Sequence, residues 1–322
     1  MPQTEKLKCS LSRLKQRAFL LSSIRQFFAL RAVLEVETPV LSSAGNTDTS
    51  IESFTSEAIN PAFAGSYLRT SAEFPMKRLL CQGVGDIYEI GKVFRKGENG
   101  SAHNCEFTLL EWYRVNFSYL DLIAEVQELF LYLLAAFKKE VVTSEIISYA
   151  ECFAQFLHIE LTKINQKQLN IICQQQHYSG SDLSRDEALD YLFATYIQPR
   201  FAKNKLTFVT HYPASQAALA KINPKDHTTA LRFEVFYQGH ELGNGYEELT
   251  DANELLSRFE KDNDLRKKQK RECVEIDKNL IKAMQKGMPD CSGIAMGIDR
   301  LLMVLQDEKN IKQVISFDAK HA

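Results

Sequence analysis

Three stretches of this chain carry residues that can do chemistry. In the first, Phe94-Arg95 runs into a loop, Lys96–Cys105, and out through Glu106-Phe107-Thr108-Leu109-Leu110-Glu111-Trp112-Tyr113. Read as a hairpin, alternation puts Glu89, Gly91, Val93 and Arg95 on one face of the outgoing strand. It puts Phe107, Leu109, Glu111 and Tyr113 on one face of the returning strand. Such a wall can floor a small-molecule site. The arginine can pair bidentately with a phosphate, the phenyl ring can stack a base, and a carboxylate with a phenol can orient an amine. The same residues also suit an ordinary hairpin with charges at its open end.

The second stretch is Gly239-His240-Glu241-Leu242-Gly243-Asn244-Gly245-Tyr246-Glu247-Glu248-Leu249. Glu241 and Glu248 are an odd number of residues apart, on opposite sides of a regular strand, unless Gly243 or Gly245 makes a bulge that brings them together. Two carboxylates beside a triphosphate would be hard oxygen ligands for Mg2+; taken alone, the stretch also reads as a solvated acidic loop. The third is Gly293-Ile294-Ala295-Met296-Gly297-Ile298-Asp299-Arg300-Leu301-Leu302. It predicts a strand of small residues that a ligand can approach, then a helix started by Asp299 with Arg300 in its first turn. A cation is out of place there for helix stability but suited to gripping an anion. A close-packed strand–helix crossing is the plainer reading.

These stretches need elements to hold them. Helical spacing of Leu14, Ala18, Leu21, Ile24 and Phe28 predicts a helix to about Leu30, and Val33–Val40 alternates as a short strand stopped by Pro39. A helix over 119–138 starts on a capping-box-like Ser118 and Asp121 and buries Leu122, Val126, Leu129, Leu133 and Phe137. Strands are expected at 67–70, 86–95 and 106–114, and again at 207–212, 231–237, 241–249 and 292–298. Between these blocks, 145–204 reads as a mostly helical insert. Further helices cover 251–270 and 299–306, and residues 1–12 read as a flexible tail before one domain over 13–322. Strands following strands with helices inserted predict an α+β fold, a mostly antiparallel sheet with helices around it.

The 322 residues suffice for a self-sufficient core, and 39 basic against 41 acidic residues leave a net charge of −2. A general polyanion-binding surface is thereby excluded. No apolar run is long enough for a membrane span. Seven scattered cysteines, none in a C-x-x-C pair, predict reduced thiols and a cytoplasmic protein. There is no GxGxxG before a βα unit and no GxxxxGK[ST], so a bound ATP would be held by arginines and metal.

In order and spacing, the stretches resemble class II aminoacyl-tRNA synthetases. The F-R…E-F-T-x-L-E-W-Y run resembles motif 2 and G-x-A-x-G-x-D-R-L resembles motif 3. Phe27-Phe28…Leu34-Glu35-Val36-Glu37-Thr38-Pro39 resembles motif 1, with Ala32 where a glycine is usual. The similarity is to the catalytic domain of lysyl-tRNA synthetase. There is, however, no room before motif 1 for an anticodon-binding barrel, and Ala295 replaces the central motif 3 glycine. Both are marks of the short paralogues that attach β-lysine to elongation factor P. Ser71–Leu80, His211–Gln216 and Gly287–Gly293 resemble that group too. Motif 2 departs in one place, with Arg95-Lys96-Gly97 and then Glu98 where Arg-Asn-Glu is usual.

The resemblance implies an ATP-dependent ligase that makes an aminoacyl-adenylate from (R)-β-lysine or lysine. It implies Arg95 and Arg300 as catalytic residues. A nucleotide site would contain them with Lys96, Gly97, His103, Asn104, Phe107, Glu241, Leu242 and Gly297. The amino-acid site would contain Ser71, Ala72, Glu73, Tyr113, Glu248 and Ala295, and Mg2+ would be held by Glu241 and Glu248. It further implies transfer to elongation factor P, a homodimer built on motif 1, and no role for tRNA. A minimal enzyme that charges tRNA and a non-catalytic amino-acid sensor are the alternatives. A basic stripe would favour the first, and loss of Arg95, Glu241 or Arg300 the second; all three residues are present.

Overall fold

The computed structural model describes residues 9–56 and 66–321. The chain runs through α1 (Leu11–Ala29), β1 (Leu34–Glu35), β2 (Leu41–Ser42), β3 (Thr55–Ser56), β4 (Ser66–Leu68), α2 (Glu73–Leu80), β5 (Ile87–Phe94), β6 (Glu106–Val115) and α3 (Tyr119–Ala136). It continues with β7 (Thr143–Ser148), α4 (Tyr149–Leu157), α5 (Gln166–Gln175), α6 (Arg185–Leu192), β8 (Lys205–Thr210), β9 (Arg232–Tyr237) and β10 (His240–Glu247). It closes with α7 (Ala252–Lys268), α8 (Lys278–Met284), β11 (Cys291–Gly297) and α9 (Ile298–Leu305). Two compact units result, one of Met1–Glu140 with Glu248–Ala322 and one of Val141–Glu247.

The first unit holds strands in the order β1-β5-β6-β11. Alternation sorts their side chains. Tyr88 and Trp112 face back, where Phe28 of α1 stacks on Tyr88 at 4.5 Å and meets Trp112 at 5.4 Å. The Trp112 indole donates to the buried Glu125 of α3 at 3.0 Å. The front face is left for other work. Ile87, Tyr113 and Gly293 share one row, Glu89, Glu111 and Ala295 the next, Gly91, Leu109 and Gly297 the third, and Val93 lies beside Phe107. The period-two reading of the hairpin holds residue for residue.

Helix α1 is capped by Ser10, whose Oγ accepts from Arg13 N. It therefore starts earlier than the Leu14 expected, and of the predicted 1–12 tail residues 1–8 lie outside the described residues. Its buried stripe is Leu20, Ile24, Phe27 and Phe28, while Ala18 is exposed. The phase is set by the large rings, which bury more area than alanine. Helix α3 has the expected Ser118–Asp121 capping box. The predicted strand 33–40 shrinks to two residues because Thr38 turns its hydroxyl to Glu89 (2.7 Å) and receives Arg69 (2.8 Å), and Pro39 has no N–H to pair.

The second unit carries strands in the order β10-β9-β8-β7. A core of Tyr149, Phe153, Phe193, Phe201, Tyr212 and Phe236 lies under α4–α6. The insert is mostly helical as expected, but β7 opens it and pairs parallel to β8, as β1 does to β5. The β5–β6, β6–β11, β8–β9 and β9–β10 pairs are antiparallel, so the mostly antiparallel expectation holds.

Candidate active site

The front face of β5, β6 and β11 collects carboxylates. Glu89 is closed off. Arg69 reaches it at 2.6 Å and also donates to Lys92 O and to both oxygens of Thr38. Gly91 has no side chain because a Cβ there would lie 2.1 Å from the Arg69 guanidinium. Glu111, one strand over, differs. Ser71 donates to its Oε1, but Oε2 is buried with no hydrogen-bond partner. Burial pushes Glu111 up to about 7, against the Ser71 hydrogen bond and helped by the nearby charge of Glu73.

Helix α2 brings Glu73 to this group. Pro75 is tolerated because a helix's first N–H groups have no partners inside it, and Ser71 Oγ accepts from Glu73 N at 3.0 Å. Lys77, on the same side of α2, is 1 % exposed, and its Nζ lies 2.6 Å from both Glu73 Oε1 and Glu248 Oε2. Burial works against its charge, but Glu248 and Glu73 more than offset that and hold the ammonium protonated. For Glu248 burial is the larger influence and raises it, while Lys77 draws it down. Glu248 is fixed through its backbone N–H to Cys291 O at 3.0 Å. The Tyr113 ring lies over Gly293, where a Cβ would come within 2.3 Å of the ring and 2.7 Å of Glu248 Oε1. Burial, then Glu73, Glu248 and Glu111, keep the Tyr113 phenol protonated.

Ser71, Glu73, Tyr113 and Glu248 therefore lie together at one end of the front face. Ala295 lies in the row of Glu111, half-buried. Ala72 is 4 % exposed and packs in the core with Met76, Leu80, Ile87, Tyr113 and Cys291. Four carboxylates, Glu73, Glu89, Glu111 and Glu248, meet two cations, Arg69 and Lys77, which leaves two carboxylates in excess.

The other end of the same face is open. Arg95 hangs over the Phe107 ring at 5.2 Å and donates to Thr70 O at 3.3 Å. Lys96 and Gly97 are exposed. Gly97 has φ 89°, and Lys96 N is held by Glu52 O at 2.8 Å. His103 sits between Glu98, 3.5 Å away, and the Arg300 guanidinium, and Arg300 also donates to Ala102 O. Asp299 is not the start of α9; Gly297 caps it. The Asp299 carboxylate instead accepts from Thr108 N (2.8 Å) and Arg17 (2.6 Å), fastening α9 to β6 and α1. A Cβ at Gly297 would meet nothing nearer than Arg300 Cβ at 3.9 Å, so no protein neighbour demands a glycine there. The Asn104 side-chain amide donates to Glu106 O and its oxygen accepts from Ala319 N, tying down the C-terminal segment.

In the second unit the expected bulge lies between Glu241 and Gly243, and Leu242 is the extra residue, buried. The charge of Glu241 bears on Glu234, which burial already raises and Arg232, 2.6 Å away, pulls down. Glu241 and Glu248 were expected to share a cation. Glu248 is instead the partner of Lys77, and the carboxylate near Glu241 is Glu234. Among the described residues no group of three or more His, Cys, Asp or Glu side chains is arranged for a metal.

Sequence reasoning missed Lys77, Arg69 and Glu234, and it put Glu111 on the hairpin wall as a carboxylate able to orient an amine without placing it among the substrate residues. The i,i+4 spacing of Glu73 and Lys77 was a visible signal for the first. Nothing local announced the others.

The tRNA synthetases of class II (D, K and N) match this chain over residues 6–321. A protein of Pseudoalteromonas translucida named elongation factor P–(R)-β-lysine ligase is 44% identical over 319 residues, 97% of each chain. Proteins of the same name from Mannheimia succiniciproducens (42%, over 95% of this chain and 94% of the other) and Yersinia pestis (41%, over 95% of each) are similar as well. With that extent of similarity, and with motif 2 on the β5–β6 hairpin and motif 3 on β11–α9, the chain belongs to the class II tRNA synthetase family.

Proposed function

We propose that this protein activates (R)-β-lysine, or lysine, with ATP and transfers it to a lysine ε-amine of elongation factor P. One observation carries the substrate class: a buried pocket with two carboxylates in excess, Glu111 with an oxygen that no donor reaches. Burial raises Glu111 and Glu248 and so works against their charged forms; a diamino acid brings two ammonium groups that favour the ionised carboxylates. Its carboxylate would then point along the front face toward Arg95.

There the substrate carboxylate attacks the α-phosphorus of ATP, and pyrophosphate leaves. Arg95 stabilises the charge that builds on the phosphoryl oxygens. Phe107 offers a half-buried ring for the adenine, with Arg300 on its other side and toward the γ-phosphate. Lys96 adds a positive charge on the loop and His103 a ring nitrogen beside Arg300, and Gly297, which the protein itself does not require, suits a closely approaching nucleotide. The neutral acceptor amine then attacks the acyl carbon and AMP leaves; such an amine is nucleophilic enough without a dedicated base. Glu241 would supply a carboxylate of the hard oxygen type that suits Mg2+; Glu234 is already engaged by Tyr212 and Arg232.

Exposed Leu11, Phe19, Leu30, Leu34 and Leu41 on the α1–β2 segment support a homodimer through motif 1. All seven cysteines are free, which suits the cytoplasm. No helix among the described residues is long and apolar enough to cross a membrane.

The deciding experiment is ATP–pyrophosphate exchange with each lysine isomer, followed by mass spectrometry of elongation factor P and of tRNA. Exchange with a lysine isomer and a mass gain on the protein are expected. Exchange with neither isomer, or transfer to tRNA alone, would overturn the proposal. Light scattering should give a dimer at micromolar concentration.

A further inference from the structure

Lys77 is a buried cation for which the reaction above has no use. Helix α2 places Glu73 and Lys77 on one side, and Glu248 meets the same ammonium from the strand β11 side, where its N–H is bonded to Cys291 O. An exposed pair of this spacing would contribute little. A lysine 1 % exposed has lost its water, and only two carboxylates at 2.6 Å offset that loss. Around this ion triad stand Glu111 and Tyr113 from β6 and Cys291 from β11, with the self-contained Arg69–Glu89 pair below. Glu248 Oε2 is held at 2.6 Å by the Lys77 ammonium, while Glu111 Oε2 is buried with no hydrogen-bond partner.

We propose that Lys77 is a positioning and specificity residue for the amino-acid site. Its ammonium is a built-in cation that anchors Glu73 and Glu248 and reduces the excess to the two carboxylates that a diamino acid can pair. This rests on the diamino-acid reading of the pocket. Without Lys77, three excess carboxylates would face two ammonium groups, and one would stay buried and unpaired. With it, the two carboxylates in excess equal the two ammonium groups of the substrate. Lys77 touches no reacting atom; it acts through Glu73 and Glu248.

The test is ATP–pyrophosphate exchange by the full chain carrying Lys77→Met, Lys77→Gln or Lys77→Arg, with KM measured separately for the lysine isomer and for ATP, and with melting temperatures. Methionine keeps the volume without charge, glutamine keeps N–H donors without charge, and arginine keeps the charge. The neutral variants should raise the amino-acid KM about 10²-fold and leave the ATP KM within about threefold, and Lys77→Arg should recover most of the loss. A packing role alone would lower the melting temperature and the active fraction without moving KM, and methionine would serve as well as arginine. An amino-acid KM unchanged in a folded neutral variant overturns the inference. So does failure of both neutral variants to fold while Lys77→Arg folds, which would make the triad structural. Wild-type exchange with an unmoved KM in the variants defeats this inference alone; no wild-type exchange with either isomer defeats the functional reading and this inference with it.

Discussion

At the Tyr113–Gly293 end of the front face, Lys77 is in ion-pair contact with two carboxylates, and almost nothing reaches solvent. At the Val93–Phe107 end of the same strands, Lys96, Gly97 and His103 are exposed, and Arg95 and Arg300 are steadied by backbone carbonyls. Strand type, twist and neighbours are shared; water is not. In the buried end a charge without its partner has nowhere to go, so the residues must be satisfied before substrate arrives or left short by what the substrate brings. In the open end water can solvate the arginines until a polyphosphate displaces it. The first arrangement selects by charge count, and the second grips any ligand with the right anion. Changes at the open end should therefore cost catalysis and spare stability, while changes at the buried end should move both.

The largest effect is expected at Arg95. Arg95→Ala should lower pyrophosphate exchange about 10²-fold or more, with a melting temperature within a few degrees of wild type, because a solvated cleft charge contributes little to folding. Unfolding of the variant, seen by circular dichroism, would break the contrast between the two ends.

Glu111 tests the buried end. Its carboxyl is raised from 4.5 to about 7 in the folded protein, so the folded state holds the proton more tightly than the unfolded chain. Its contribution is fully present below about pH 4.5 and is lost as pH rises through 7, on the order of 3 kcal/mol in all. Denaturant titrations across that window should show wild-type stability falling relative to Glu111→Gln, which keeps the shape without the charge. Parallel curves would mean Glu111 is not the buried acid described. The same variant should lose exchange activity, through a higher amino-acid KM.

Ala295 sharpens the comparison, because its methyl lies in the Glu111 row between the two ends. One methyl in a pocket discriminates by about tenfold at the low end of the usual range. Ala295→Gly should shift the ratio of α-lysine to β-lysine activation toward α-lysine by up to about that factor. An unchanged ratio returns isomer choice to Glu73, Tyr113 and Glu248.

The smallest effect belongs to His103. It steadies Arg300 from an exposed loop position, so His103→Ala should raise the ATP KM by about threefold, a typical size for an exposed polar contact, and leave the amino-acid KM alone. A change in the amino-acid KM instead would show that the ends are coupled.

Much of this was legible before any coordinates. Alternation in a hairpin is local geometry, so the rows Glu89–Glu111 and Val93–Phe107 could be read from residue order, as could the Ser118–Asp121 cap. The bulge beside Gly243 was signalled by a glycine-rich strand. Helix α2 was missed because it is short and carries Pro75, which leaves too few turns for periodicity to register. The strand β7 was missed inside a helical stretch because its exposed Ile146 and half-buried Ile147 do not alternate cleanly.

By itself the sequence determined the family, through three motifs in order, and the chemical kinds of residue that the site would present. Side-chain type and local period depend only on neighbours in the chain. Which carboxylate is paired and which is left wanting was decided by the tertiary structure alone. Glu89 and Glu111 are both glutamates on one face of one hairpin. Arg69 closes the first and only Ser71 reaches the second, because those partners arrive from segments outside the hairpin. Lys77 likewise reads as a surface lysine until Glu248 comes to it from far along the chain. Burial and ion pairing are properties of what folds back against a residue, and only the assembled fold specifies them.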